Sequence, residues 1–224
     1  RQTAKREETF VRQQEWEASQ SAWLYRDSSE SMQYRSSARL PFKKDYAEIL
    51  LLALAMLVLD GGEQVGLLGT PLAPQAHAGA AQRLHDYLSG QKEFDAPGRR
   101  VAARSHLVMM SDFYFPLERL HRFCAPLAAK EVRGIFLQVT DPAEESLPFS
   151  GRMKFHDIEN MKSAPVTVEQ VDAVRAEYQA RFSAHRAALS DMARNYGWQF
   201  LFTSTAEPAE KALARMYDLV TAKR

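Results

Sequence analysis

The sequence predicts an α/β fold with a mostly parallel central sheet and helices on both faces. Short apolar runs alternate along the chain with longer helical patterns, and this alternation is typical of βαβ units. Three of the apolar runs end at an aspartate, at Asp27, Asp112 and Asp141. A length of 224 residues is enough for one large domain with a sizeable core.

The first half of the chain opens with two predicted strands. Residues 9–16 alternate between two faces and suit an edge strand, and residues 19–26 form the next strand. A long apolar helix follows, with Asp45 as its N-terminal cap and Gly61 with Gly62 at its end. The remaining predicted elements of this half are a strand at 64–69, a helix at 77–88 and a strand at 106–110.

The second half of the chain continues the same alternation. The predicted elements are a helix at 116–130, a strand at 132–139, an inserted hairpin near 146–160, a helix at 168–196, a strand at 198–202 and a helix at 208–222. The long helix has a core-facing stripe at three- and four-residue steps, formed by Val171, Val174, Tyr178, Phe182, Leu189 and Met192.

Composition excludes several classes of partner. Lys plus Arg number 29 and Asp plus Glu number 28, so no bulk charge favours nucleic acid or an anionic membrane. The apolar run at 49–59 is too short to cross a bilayer, and we expect no membrane contact. The one cysteine, Cys124, suits a reducing compartment and favours the cytoplasm.

Hydroxyl and carboxylate side chains collect where two predicted strands end. Asp27 is followed by Ser29 and Ser31, and Asp112 follows Ser111. Because the carboxyl ends of parallel strands form the binding edge of such a sheet, these side chains converge if their strands are neighbours. Oxygen ligands of this kind suit Mg²⁺, although Asp and Ser also cap helices.

Asp141 has a different context. It precedes Pro142 and Glu144, a pattern that favours a turn and a helix cap over a metal ligand.

Several motifs together resemble a known family. They are the Asp-x-Ser-x-Ser-Met segment at 27–32, Ser-Asp-Phe at 111–113, Asp-Pro-x-Glu at 141–144, Leu-Pro-x-x-Gly at 147–151 and the opening residues 1–15. With them the chain resembles the von Willebrand factor A-like domain of a bacterial "domain of unknown function" family, usually encoded beside a MoxR-type AAA+ ATPase. The resemblance implies that residues 1–18 are the tail of a truncated N-terminal segment and that residues 19–224 form the domain.

The resemblance also implies a metal-ion-dependent adhesion-like site. Its Mg²⁺ or Mn²⁺ would be held by Asp27, Ser29, Ser31 and Asp112 together with a threonine from a loop. No threonine lies between Thr70 and Asp112, and the candidate loop at 89–100 offers only the hydroxyl of Ser89. Either Ser89 or water therefore replaces the threonine, or the site is weak or empty.

The leading functional hypothesis is a non-enzymatic protein-binding module. By resemblance, its partner is a MoxR-type AAA+ ATPase or a client protein that the pair remodels or assembles. One alternative is a Mg²⁺-dependent phosphoryl hydrolase with Asp27 as nucleophile. The other is a structural partner with a vestigial, metal-free site. The six histidines are scattered without ligand spacing and indicate no catalytic pair.

Overall fold

A parallel sheet forms the centre of the molecule. The computed structural model describes residues 21–70, 73–77, 79–88, 101–156 and 164–221. Its strands are Ser21–Arg26 (β1), Gln64–Leu67 (β2), His106–Ser111 (β3), Arg133–Thr140 (β4), Met153–Phe155 (β5), Val166–Val168 (β6) and Gln199–Ser204 (β7). Five of them pair in parallel in the order β2-β1-β3-β4-β7. A single antiparallel bridge joins Gln75 to Val65 at the β2 edge.

Helices cover both faces of this sheet. They are Lys43–Asp60 (α1), Ala80–Leu88 (α2), Leu117–Ala128 (α3), Pro142–Ser146 (α4), Val171–Asn195 (α5) and Ala209–Thr221 (α6), with a one-turn 3-10 helix at Glu30–Gln33. Buried side chains of α1, α2 and α6 form one core with one face of the strands. Those of α3 and α5 form a second core with the other face. The predicted α/β fold with helices on both faces is therefore confirmed.

The central strands are apolar on both faces because both faces are covered. All six residues of β3 are buried, and its alternate side chains enter the two cores. At one point the second core comes close to the backbone of β4. A Cβ atom added to Gly134 would lie 2.0 Å from Cδ2 of Trp198, so only glycine leaves room for the indole ring there.

Some element boundaries differ from the sequence prediction. Helix α1 begins at Lys43, two residues before the predicted cap Asp45, and its N-cap Phe42 makes no side-chain capping bond. Helix α2 begins at Ala80 instead of residue 77. In the predicted stripe of α5, Val174 is 37% exposed and does not face the core.

The antiparallel pair β5–β6 lies between α4 and α5, with Met153 opposite Val168. The predicted hairpin near 146–160 overlaps this pair, but residues 157–160 lie outside the described ranges. The predicted edge strand at 9–16, the first two residues of the strand at 19–26 and the loop at 89–100 also lie outside them. Within the described ranges, no helix combines the length and the apolar character needed to cross a membrane.

The path of the chain creates a switch point between two neighbouring strands. From β1 the chain passes to β2 on one side of it, and then returns to β3 on the other side. In open α/β sheets, the crevice beyond the carboxyl ends of two such strands is where ligands bind. The site is therefore expected where Asp27 and Asp112 leave β1 and β3.

Candidate functional site at the switch point

Asp27 and Asp112 lie side by side, as the sequence predicts. Strands β1 and β3 are paired in parallel, with Arg26 opposite Met110. The Asp27 backbone N–H continues this ladder by donating to the Met110 carbonyl at 2.9 Å. Two acidic residues that are distant in the sequence thus share one end of the sheet.

The Asp27 carboxylate is buried and held by hydrogen bonds from Ser111 and Ser29. Its Oδ2 accepts from the Ser111 hydroxyl at 2.5 Å, and its Oδ1 accepts from the Ser29 backbone N–H at 2.9 Å. Burial raises the pKa of Asp27, while these hydrogen bonds oppose the rise and the charge of Asp112 adds to it. These hydrogen bonds fix the Asp27 carboxylate beneath the turn that contains Ser29.

Ser29 and Ser31 form the accessible part of the site. Their hydroxyl oxygens lie 3.1 Å apart, and both residues are partly exposed. Ser31 belongs to the one-turn helix Glu30–Gln33, which has Ser29 as its N-cap residue. The turn therefore presents both hydroxyls together above the buried Asp27.

Asp112 has a partner that the sequence analysis missed. Its Oδ2 accepts from Nζ of Lys43 at 2.7 Å, and its Oδ1 accepts from the Tyr114 backbone N–H at 3.1 Å. Lys43 is fully buried, and its Nζ also donates to Oε1 of Glu144 at 2.5 Å. The ammonium thus joins the end of β3 to α4.

Helical spacing is the signal that could have found Lys43. The residue lies three, four and seven positions before Tyr46, Ala47 and Leu50, which are all buried on the core face of α1. A lysine on that stripe must place its charged end against a carboxylate or at the surface. Here the carboxylates are Asp112 and Glu144.

The third strand-end acid, Asp141, is a helix cap. Its carboxylate accepts from the Ala143 N–H, while the Glu144 carboxylate accepts from the Asp141 N–H, which forms a capping box at the start of α4. The second Asp141 oxygen accepts from the Ser36 N–H at 2.8 Å. The turn-and-cap interpretation of Asp141 is confirmed. Burial raises the pKa of Glu144, and the nearby positive charge of Lys43 opposes that rise.

One further feature of the site is the backbone at Phe113. Its φ angle of 59° lies in the left-handed region, which bulky residues rarely adopt. The ring is fully buried and lies 5.3 Å from that of Phe136, and the Phe113 N–H donates to the Ser111 hydroxyl at 2.8 Å. Packing and this hydrogen bond hold the turn that aims Asp112 at Lys43.

The predicted magnesium ligands fit an ion only in part. The 3.1 Å between the Ser29 and Ser31 oxygens matches the separation of about 3.0 Å between neighbouring ligands in an octahedron with bonds of about 2.0–2.1 Å. Asp112, however, already has a hydrogen bond on each oxygen.

An ion at Asp112 would also face the ammonium of Lys43. A divalent ion about 4 Å from that charge would be repelled by roughly 8 kcal/mol at an effective dielectric constant of about 20. The Lys43 ammonium therefore opposes a divalent ion at Asp112, and magnesium binding by Asp27, Ser29, Ser31 and Asp112 stays a prediction.

The fold and this site define a class of protein. The chain is a Rossmann-like α/β domain with a polar site at the switch point of its parallel sheet. More specifically, it belongs to the DUF58 family of proteins of unknown function, whose pattern matches residues 1–188. No curated protein matches the chain.

Two solved structures share the fold. One is an aerotolerance-related membrane protein from Bacteroides fragilis, with 14% identity and a TM-score of 0.57 over 90% of this chain and 98% of that one. The other is the conserved hypothetical protein BatB from Bacteroides thetaiotaomicron, with 14% identity and a TM-score of 0.52 over 91% of this chain and 100% of that one. At this identity the likeness concerns the fold.

Proposed function

We propose that this domain is a non-enzymatic protein-binding module that contacts its partner through the switch-point edge. The observation that carries the proposal is the pair of partly exposed hydroxyls of Ser29 and Ser31, 3.1 Å apart. Two adjacent hydroxyls suit a carboxylate of a partner, because each can turn its proton from its present acceptor to one of the carboxylate oxygens. The buried Asp27 below them fixes the turn and so lowers the entropic cost of binding.

The environment of Asp27 favours binding over hydrolysis. A nucleophilic aspartate needs an oxygen that can reach the substrate, yet Asp27 is 2% exposed and both of its oxygens accept hydrogen bonds. We therefore propose no phosphoryl transfer at this residue.

The proposed partner is a MoxR-type AAA+ ATPase or a client of it. This partner follows from the von Willebrand factor A-like character that the Asp-x-Ser-x-Ser and Ser-Asp-Phe motifs suggest. We place the module in the cytoplasm, where ATP is available to such an ATPase and where a single buried thiol, Cys124, stays reduced.

We propose partner binding without a metal step. Magnesium or manganese binding by Asp27, Ser29, Ser31 and Asp112 stays a prediction, and the Lys43–Asp112 ion pair opposes it. The proposed site is therefore free of metal but still binds a protein, and it is not a vestigial site without function.

A binding measurement tests the proposal. The purified chain is titrated against the MoxR-type ATPase encoded beside its gene, as the native protein and as the Ser29→Ala/Ser31→Ala variant. Loss of two hydrogen bonds to a charged group weakens binding by about 3 kcal/mol or more, which is over a hundredfold in Kd.

The matched control is Ser183→Ala, which removes an exposed hydroxyl from α5 and leaves Kd unchanged. Circular dichroism verifies that all variants are folded. Equal affinities for the native chain and the double variant would show that the partner does not use this edge. Turnover of p-nitrophenyl phosphate that disappears in Asp27→Asn would instead favour the hydrolase.

A further inference from the structure

Lys43 is a cation in a position that its own helix does not favour. It is the first residue of α1, where the N-terminal end of the helix dipole repels positive charge. It is also fully buried, and burial of an ammonium is costly unless carboxylates or hydrogen bonds compensate. Its position therefore has to be explained by its surroundings.

Those surroundings form a complete cation site. Nζ donates to Asp112 at 2.7 Å and to Glu144 at 2.5 Å. It also lies 5.0 Å from the centre of the Tyr114 ring and 5.9 Å from that of Tyr34, within the range of cation–π attraction. A carboxylate at the end of β3, a carboxylate of α4 and two aromatic rings thus face one ammonium.

We propose that Lys43 is the resident cation of the switch-point edge. Its ammonium takes the position at Asp112 that the von Willebrand factor A-like resemblance gives to a divalent ion. The edge is therefore complete without a metal, and Lys43 is the positioning residue that sets the direction of the Asp112 carboxylate.

The charges explain why removal of Lys43 changes the selectivity of the site. Asp112 and Glu144 together carry two negative charges, and the ammonium neutralises one of them. Without it, two carboxylates that both contact Nζ would face the same space, and their repulsion favours a divalent cation. Lys43→Met is thus expected to create the metal site that the native chain lacks.

Calorimetric titration with MnCl₂ and MgCl₂ tests this inference on the whole chain. The native protein is expected to take up no ion through Asp112 at concentrations up to about 1 mM, the weak end of protein sites for such hard cations. Lys43→Met is expected to bind one Mn²⁺ at least about tenfold more tightly than the native chain does. The double variant Lys43→Met/Asp112→Asn is expected to lose that gain.

Two results would overturn the inference. One is a native chain that binds Mn²⁺ in the micromolar range and loses the ion in Asp112→Asn. The other is a folded Lys43→Met variant that gains no affinity. If Lys43→Met does not fold, the native chain and Asp112→Asn decide the question alone, by paramagnetic relaxation of water protons in the presence of Mn²⁺.

A consequence for the partner rests on the proposed function. The measurement uses the nucleotide-free ATPase, which excludes ATP-dependent steps. If the ATPase binds through Ser29 and Ser31, its Kd is expected to be the same in Mg²⁺ and in EDTA. A tenfold weakening in EDTA would contradict a metal-independent edge. The titrations with metal alone need no partner, so failure of the proposed function leaves their outcome intact.

Discussion

Replacement of Lys43 by methionine is expected to destabilise the domain strongly. The side chain is fully buried and contacts two carboxylates. Methionine fills a similar volume but leaves those carboxylates without their counter-ion. Breaking a buried ion pair by removing one partner costs about 3–5 kcal/mol. For a domain of this size, that lowers Tm by roughly 10 °C.

A double-mutant cycle separates the ion pair from simple loss of packing. Urea denaturation of Lys43→Met, Asp112→Asn and the double variant gives three free energies of unfolding. Because the double variant leaves only Glu144, and no longer Asp112, without the Lys43 counter-ion, it is expected to lose about 1–3 kcal/mol less than the sum of the single variants.

Lys44→Met is the matched control, since Lys44 is the next residue and is half-buried outside this contact. A change within about 0.5 kcal/mol is expected for it. The reasoning is refuted if Lys43→Met costs less than about 1 kcal/mol, or if the two single changes are additive within about 0.5 kcal/mol.

Three further predictions concern packing, pH and thiol reactivity. Gly134→Ala is expected to cost about 2–4 kcal/mol in urea denaturation, because the new Cβ overlaps the Trp198 ring and disturbs its hydrogen bond to the Val132 carbonyl; a loss under about 0.5 kcal/mol would contradict this. Burial raises the pKa of Asp27, so the folded state retains that proton to higher pH, and the free energy of unfolding falls as pH rises from about 4 through the raised value. Asp27→Asn is expected to remove this contribution to the pH dependence of the free energy of unfolding. An unchanged pH dependence would exclude Asp27 as its source. Burial also raises the pKa of the Cys124 thiol, so a thiol reagent at pH 8 is expected to react only as fast as the protein unfolds; rapid reaction of the folded chain would disprove it.

Much of the fold follows from local patterns. The apolar runs that became β3 and β4 are buried on both faces, and such runs identify strands of a covered parallel sheet without knowledge of their neighbours. The proximity of Asp27 and Asp112 needs more than these patterns, because residues at the same edge of a sheet lie close together only if their strands are neighbours. The structure supplies that condition by pairing β1 with β3.

The start of α1 shows where local patterns fail. Asp45 is a good capping residue by type, yet the helix begins at Lys43, whose ammonium is held by Asp112 and Glu144. These carboxylates are distant in the sequence, and no local propensity reports them. In the long helix α5, Arg175 bonds the carbonyls of Leu147 and Phe149, and Val174 of the predicted core stripe is exposed.

The magnesium prediction rested on residues that are recognisable in the sequence, and it missed the lysine that contacts one of them. Asp27, Ser29 and Ser31 were recognisable because they are adjacent in the sequence. The cation that accompanies Asp112 was harder to find, because the residue type alone does not distinguish a surface lysine from a buried one. Only the helical spacing from Lys43 to Leu50 carried that information.

The contacts of Glu144 have a mechanical consequence. Its side chain binds Lys43 of α1, and its backbone carbonyl accepts from the Tyr178 hydroxyl of α5 at 2.6 Å. Through Lys43 the same connection reaches Asp112 at the tip of β3. A displacement of the first half of α5 is therefore expected to reach, through Glu144 and Lys43, the strand end beside the turn of Ser29 and Ser31.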